Sequence, residues 1–335
     1  MDVRKHIIDL AKKVNGSVIL PESADPRVLK AAEMLTKDGV AKVILPAMDP
    51  EAVKKAAKEA NVDLSDIEII KVDRAVLDDK MVETFVQARQ KKGMAPEEAM
   101  ALLDNKLYFA MAYLKSGKAD ACVCGAVYDT SDVLRAGIHV VGVAEGINLV
   151  SSYFLMIPPA DHKIVKDPLF FADCGVNPDP SASGLKDIAI ATIGSFQKIF
   201  PGKDANVAML SFSTKGSAKH PVLDKTIEAT VALQEKYKDV KDVSVDGELQ
   251  FDAALMPEVG KRKAPKSEVA GRANIFVFPD LNSGNIGYKL AERLGGFQAL
   301  GPLIQGLALP VSDLSRGSKA DDICMASAVM LLQKG

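Results

Sequence analysis

Short continuous apolar runs alternate with longer amphipathic ones along the first third of the chain, and that rhythm admits few folds. SVILP is followed by PRVLKAAEMLTKDG, AKVILPA by EAVKKAAKEA, and IEIIKV by a helical stretch through KMVETFVQARQKKG. Strands that are apolar throughout belong in a parallel sheet covered on both faces. Asp49-Pro50 opens one helix, and Gly39 and Gly93 close two others. The fold class is therefore α/β, built from βαβ units on a parallel sheet. With 335 residues, the chain is longer than one core usually serves, and at roughly 150 residues per domain two domains are expected.

A further helix is expected across PEEAMALLDNKLYFAMAYLKSG, then the strand ADACVCGA and a helix opened by Thr130, Ser131 and Asp132. The texture changes at VGVAEGINLV, where a hinge is placed. The strands SSYFLMI, KIVKDPLFFADC, NVAMLSFS and ANIFVFPD, with helices at 183–200, 221–239 and 285–295, make a second domain. The tail from GPLIQ reads as strand, polar turn and final helix returning to the first domain, since chain ends in such folds often lie close together. The expected division is 1–145 plus 301–335 against 146–300, with the active site in the cleft between them.

Hydrophobic residues make up 48% and charged residues 26%, as in ordinary globular chains that bury a large core. Lys plus Arg is 42 and Asp plus Glu is 44, a net charge of −2, and no basic run is long enough to track a phosphate backbone, so nucleic acid is not an expected partner. The four cysteines lack zinc-finger spacing and suit a reduced setting. The N-terminal segment does not read as a secretory signal, and the most apolar run, 147–160, is too short and too interrupted to span a bilayer. A soluble cytoplasmic protein without membrane contact is expected.

No Walker A spacing and no G-x-G-x-x-G after a strand is present, and no G-x-S-x-G elbow or histidine beside a nucleophile. Subtler anion-binding candidates remain. NVAMLSFS, which contains Ser213, runs into Thr214, Lys215, Gly216, Ser217, Ala218 and Lys219, either an anion site ahead of a helix or a polar turn. Asn282, Ser283 and Gly284 precede a helix on which Lys289 and Arg293 share a face, either binding or solvated. Ser315, Arg316 and Gly317 form a tight polar turn at a strand end, ahead of a helix that Ser318 caps, and Asp321 and Asp322 complement its dipole. Arg89 and Arg135, with Arg316, place three arginines at element ends where they could converge on an anion. Ser244, Asp246, Glu248, Gln250 and Asp252 alternate along one strand, and a solvated or domain-interface face is preferred there to a divalent-metal site. Cys122 and Cys124 read as buried, inert thiols.

These blocks, PESADPR, ARQKKG, GAVYDTSDVLRAG, FADCGVNPDPSASGLKDIA, LSFSTKGSAK, DGELQFDAA, KAPKSEVAGRANIFVFPDLNSGNIGYKL and PVSDLSRG, occur in an order that resembles the phosphate acetyltransferase (phosphotransacetylase) family in its short form. The resemblance implies a homodimer of two-domain subunits, with a fold related to the isocitrate and isopropylmalate dehydrogenases. The reaction it implies is reversible acetyl transfer between acetyl phosphate and coenzyme A, with inorganic phosphate as the other product. It carries site roles to Ser315, Arg316, Asp322, Arg135 and Arg89, while Thr130, Ser131, Ser213, Lys289 and Arg293 are taken as substrate-binding candidates. Where the family usually has Cys after Ser-Arg-Gly this chain has Ser318, which favours direct transfer over a covalent cysteine intermediate.

In that chemistry the coenzyme A thiol, with a pKa of roughly 8.5, must lose its proton, and Asp322 is the carried-over base. An ordinary Asp near 3.9 faces roughly 4 to 5 units of mismatch, about 6 kcal/mol, so Arg135 and the helix N-terminus are expected to stabilise the thiolate. Arg316 and Arg89 suit the phosphate, and Ser315 suits the developing oxyanion, where one donor is worth about 3 to 4 kcal/mol. Coenzyme A is a substrate, and neither metal nor redox cofactor is expected. The alternatives are a phosphate acyltransferase for propionyl or butyryl groups, an NAD(P)-dependent decarboxylating dehydrogenase of the same fold, and a non-catalytic binding subunit.

Overall fold

A computed structural model of the chain describes residues 2–334 and divides into two compact units, Met1–Glu145 with Leu307–Gly335, and Gly146–Gly306. The strands, in chain order, are β1 Ser17–Ile19, β2 Lys42–Ala47, β3 Glu68–Lys71, β4 Ala121–Cys124, β5 Ser151–Ile157, β6 Leu169–Ala172, β7 Ala205–Leu210, β8 Val243–Leu249, β9 Ile275–Val277, β10 Gln298–Gln305 and β11 Val311–Asp313. Among the described residues no helix is long and apolar enough to cross a membrane.

The first unit is a fully parallel sheet in the order β11-β4-β1-β2-β3. Its register sets Val18 beside Val43 and Ala121, and Val311 beside Cys122, so both chain ends meet in one sheet. Helices Val3–Val14 and Ala320–Leu332 pack together. The second of these buries Ile323 through Leu331 without a polar face, as an enclosed helix requires. Asp25 and Asp49 cap helices whose first position is proline, and their carboxylates accept from the N–H groups of Arg27 and Glu51. The single helix expected across 96–117 is two, Pro96–Leu102 and Lys106–Lys115, because the Asn105 side chain caps the second by accepting from Leu107 N at 2.9 Å. Cys122 and Cys124 are fully buried.

The second unit is a six-stranded mixed sheet in the order β10-β5-β6-β9-β7-β8, in which β5 runs antiparallel to both neighbours. Its core is aromatic, with Phe154, Phe171, Phe276 and Phe278 buried together. Because β10 pairs with β5 from Gln298 to Gln305, residues 301–305 belong to this sheet, and the return to the first unit begins at Leu307 rather than 301. β6 starts at Leu169, directly after Pro168, which has no N–H for a ladder. The helix expected at 285–295 starts at Leu281, and that expected at 221–239 is a 3₁₀ turn, Pro221–Leu223, followed by Asp224–Tyr237.

The carboxylate stripe is corrected as well. β8 ends at Leu249, Asp252 lies in a short helix, and Asp246 and Glu248 are 6% and 4% exposed, neither of them solvated. A residue's place on an alternating strand does not fix its exposure when a loop folds over that face. Here Lys215 Nζ donates to Asp246 Oδ1 at 2.8 Å, and Ser213 Oγ and Gly216 N donate to Glu248 Oε1 at 2.9 and 2.7 Å.

Candidate active site

In a parallel sheet, ligands sit beyond the carboxyl ends of the strands, and in the first unit three loops gather there, after β1, β4 and β11. Glu22 follows β1, is 6% exposed, and accepts four consecutive main-chain N–H groups from the loop after β4. Its Oε1 takes those of Gly125, Val127 and Tyr128 at 3.1, 2.6 and 2.9 Å, and its Oε2 takes that of Ala126 at 3.1 Å. One buried carboxylate thus satisfies donors that a loop could not pair internally. Gly125 has φ +102°, and a Cβ there would collide with Asp313 Oδ1 and the backbone of Leu314, so only glycine lets β4 and β11 end this close together.

Asp313, the last residue of β11, is 1% exposed and accepts from Thr130 Oγ1 at 2.5 Å, while its Oδ1 is buried without a partner. Burial pushes its carboxyl up to about 6 against the lowering effect of the Thr130 bond, and the nearby Glu22 charge adds to the rise. Arg27 crosses the same loops. Its Nη1 donates to the carbonyls of Arg316 and Ser318 at 2.6 and 3.1 Å, its Nη2 to Ala126 O and Asp25 Oδ2, both at 2.8 Å, and its Nε to Asp25 Oδ1 at 3.0 Å.

The turn that Arg27 holds carries the expected residues. Ser315 is exposed, and its Oγ accepts from Gly317 N at 3.3 Å, which leaves its own proton free to donate. Arg316 is ion-paired with Asp129, the N-cap of the helix Thr130–Ala136. Ser318 does not cap the final helix; it is buried, and Lys319 occupies the cap. Lysine has no acceptor, so the cap is made in one direction only, by Asp322 Oδ2 accepting from Lys319 N at 2.9 Å. Asp321 pairs with Arg4.

Of the three arginines, two share surroundings. Arg89, near the end of the helix Asp79–Gln90, has a buried Nε with no hydrogen-bond partner, and Arg135 pairs with Asp132 at 3.0 Å while remaining 57% exposed. The charges of both act on Tyr108 and His139, which bond to each other from Tyr108 Oη to His139 Nδ1 at 3.1 Å. Burial, then Arg89 and Arg135, lowers the His139 imidazole below its usual range. Arg316 instead sits with Asp129 at the other end of the helix that carries Arg135. Ser131 is exposed, whereas the Thr130 hydroxyl is committed to Asp313.

In the second unit, Ser213 is fully buried and donates to Glu248, so the loop at 213–218 already holds a carboxylate of its own protein and presents no vacant anion cradle. Asn282, Ser283 and Gly284 lie inside the helix Leu281–Gly295, where Asp280 accepts from Ser283 N at 2.8 Å and occupies the N-terminus. Lys289 lies over the Tyr288 ring at 5.9 Å, and Arg293 pairs with Glu292 at 3.4 Å; both are exposed. A carboxylate also organises the end of β6, where Asp173 accepts from Ser152 Oγ, Gly175 N and Asn177 N at 2.6, 3.0 and 2.9 Å.

Glu22, Arg27, Asp313, Tyr108 and His139 carry this architecture, and reading the residues in order singled out none of them. Glu22 and Arg27 did stand inside the PESADPR block, and a charged residue just past an apolar parallel strand is the signal that could have found Glu22.

Hydroxyl and guanidinium groups on loops at parallel strand ends, with two arginines whose charges act on a histidine–tyrosine pair, suit a group-transfer enzyme for phosphorylated substrates. A profile of the Phosphate acetyl/butaryl transferase family matches residues 2–331, and the chain belongs to that family. The phosphate acetyltransferase of Clostridium acetobutylicum is 41% identical over 333 residues, covering 99% of this chain and 98% of its own. Two solved structures are similar over the full chain at a TM-score of 0.90, the EutD phosphotransacetylase from Staphylococcus aureus at 39% identity and a phosphotransacetylase from Streptococcus pyogenes at 40%, covering 98% and 99% of those chains. A branched-chain phosphotransacylase from Enterococcus faecalis shares the fold at a TM-score of 0.68 and 17% identity over 95% of this chain and 98% of its own.

Proposed function

We propose that the protein transfers an acetyl group reversibly between acetyl phosphate and coenzyme A, by direct attack of the thiolate on the acetyl carbonyl. The observation that carries this is the Ser315-Arg316 turn at the end of β11, held by Arg27, in a chain 41% identical over nearly its full length to phosphate acetyltransferases. As the C–S bond forms, the carbonyl π electrons move to oxygen, where the Ser315 hydroxyl donates a hydrogen bond while keeping its proton; collapse restores the carbonyl and breaks the C–O bond to phosphate, which leaves with that electron pair. Asp322 takes the thiol proton, Arg135 steadies the thiolate, and Arg316 and Arg89 hold the phosphate by paired N–H groups. Both substrates must be bound together, so positioning supplies much of the rate. No atom changes oxidation state, and this route uses neither a redox cofactor nor a metal; coenzyme A is consumed as a substrate.

Acetyl is favoured over propionyl or butyryl because the relatives at 41% identity are named for acetyl. A homodimer is part of the reading, supported by Ile286, Leu290 and Leu294, an i, i+4 apolar stripe 57%, 52% and 83% exposed on the helix Leu281–Gly295. A cytoplasmic setting is supported by four free, buried cysteines. Isotope exchange tests the direct route. Labelled phosphate is expected to enter acetyl phosphate only when coenzyme A is present, and exchange without coenzyme A would replace direct attack with an acyl-enzyme.

A further inference from the structure

β8 is an edge strand of the second unit's sheet, and its residues Val243–Asp246 form one wall of a cavity of about 740 Å³, within the size range of small-molecule sites. Gln234 and Tyr237 of the helix Asp224–Tyr237 supply a second wall, and the segment 264–269, after the helix Pro257–Lys263, supplies a third. Val243, Val245, Ala264 and Val269 are buried and give the cavity an apolar floor. Lys215, Lys238, Lys241, Lys263 and Lys266 line it against two carboxylates, Asp246 and Glu268, in a chain whose net charge is −2. The hollow is therefore locally positive on an acidic protein. Lys215 Nζ is held by the buried Asp246 at 2.8 Å, whereas Lys238 and Lys263 pair with Glu235 and Asp252 at 2.5 and 2.9 Å, carboxylates 73% and 52% exposed. Such surface pairs exchange partners at little cost. Among the described residues Lys241 and Lys266 have no ion-pair partner, nor has the exposed Glu268. Ser267 Oγ accepts from Val269 N and Ala270 N at 3.2 and 3.0 Å, which leaves its own proton free to donate. Tyr237 is half-buried, with Lys236 Nζ over its ring at 5.8 Å.

We propose that this cavity along the edge of β8 binds a nucleoside diphosphate, with its phosphates on Lys241, Lys266 and the Ser267 hydroxyl and its base against Tyr237 and the valine floor. The site goes beyond acetyl transfer and does not depend on that reading. Phosphate oxygens only accept, and the unspent groups here donate. A nucleoside diphosphate carries about three negative charges at neutral pH, which matches the excess of lysines over carboxylates in the lining. A bare inorganic anion would leave the apolar floor in water, and a wholly apolar ligand would strip water from the ammonium groups without pairing them. The fitting ligand therefore has a flat apolar body joined to a polyanion. With Lys236 over one face of the Tyr237 ring, a base takes the other.

Magnesium-free ADP is the probe, titrated calorimetrically into the full-length protein at about 0.1 M salt, with inorganic pyrophosphate and adenosine as its two halves. ADP is expected to bind at least about tenfold more tightly than either half. The double variant Lys241→Gln with Lys266→Gln is expected to weaken ADP at least about tenfold and to reduce the salt dependence of its affinity. Tyr237→Leu is expected to weaken ADP about tenfold and to leave pyrophosphate within about twofold. Both lysines are exposed and outside the catalytic machinery, so the double variant is expected to keep the wild-type melting temperature and to bind coenzyme A within about twofold of wild type. Coenzyme A contains an adenosine diphosphate of its own, and its affinity separates the cavity from the substrate site: ADP bound at a coenzyme A site survives the double variant. Absence of ADP binding, unchanged ADP affinity in the double variant, pyrophosphate bound as tightly as ADP, or ADP and coenzyme A weakened together would each overturn the site. Acetyl transfer is tested separately, and its absence would leave the ADP titration decisive.

Discussion

Arg27 donates from Nη1 to the main-chain carbonyl of Arg316 at 2.6 Å, joining positions 289 residues apart. The same side chain reaches Ser318 O and Ala126 O, so the turn after β11 and the loop after β4 are tied through one planar fork. Arg27→Lys keeps the charge and loses the fork. The expected cost is about 1–2 kcal/mol of stability and about 10- to 100-fold in kcat, read from thermal unfolding and steady-state rates together. Unchanged kcat in a destabilised variant would show that the turn holds its geometry without Arg27.

Asp322 has a structural task in hand, the cap on Lys319 N, and the base role must be separated from it. Asp322→Asn keeps an acceptor oxygen for that N–H and removes the base. It is expected to lower kcat by roughly 10² to 10⁴ while stability changes by no more than about 1 kcal/mol. Near-normal turnover would return Asp322 to the cap alone.

Asp313 sets a pH signature of the fold. With its carboxyl pushed up to about 6 in the native state and near 3.8 when unfolded, the native protein binds the proton more tightly. Its contribution is therefore full below about pH 4, falls as pH rises to about 6, and is constant above, by up to about 3 kcal/mol in total. Denaturant unfolding at about pH 4 and about pH 7 is expected to show this slope in wild type and its loss in Asp313→Asn. An equal slope in both would mean that Asp313 is not the titrating group.

Arg316→Gln and Arg89→Gln each remove a guanidinium while keeping a polar side chain. Both are expected to raise the KM for acetyl phosphate at least about tenfold and that for coenzyme A by less than about threefold. Equal effects on both substrates would place these arginines outside the phosphate contact.

Much of the fold was legible because local signals agreed with the tertiary outcome. The apolar runs became β1, β2 and β4, Asp25-Pro26 and Asp49-Pro50 opened helices, and the change in texture near Glu145 marked the division of units. What failed depended on partners distant in sequence. Nothing local shows that Glu22 will meet N–H groups 103 to 106 residues away, or that Asp313 will meet Thr130 183 residues away. GPLIQ reads as a strand in either sheet, and only its pairing with β5 assigns it. Asp246 and Glu248 alternate like a wet face until the 213–217 loop covers them. Of the expected residues, Ser315 and Arg316 lie on the turn after β11, Asp322 lies in the first turn of the helix that follows, and Arg89 and Arg135 both act on His139, while Thr130 and Ser213 carry internal bonds where substrate contact was expected.

The central claim is acetyl transfer from an acyl phosphate to a thiol, and the direct measurement is thioester formation from coenzyme A with acetyl, propionyl and butyryl phosphate compared at equal concentrations. The expected result is turnover with one phosphate released per thioester and the highest kcat/KM for acetyl phosphate, by at least about tenfold over butyryl phosphate. Faster turnover of butyryl than of acetyl phosphate, or no thioester from any of the three, would contradict it.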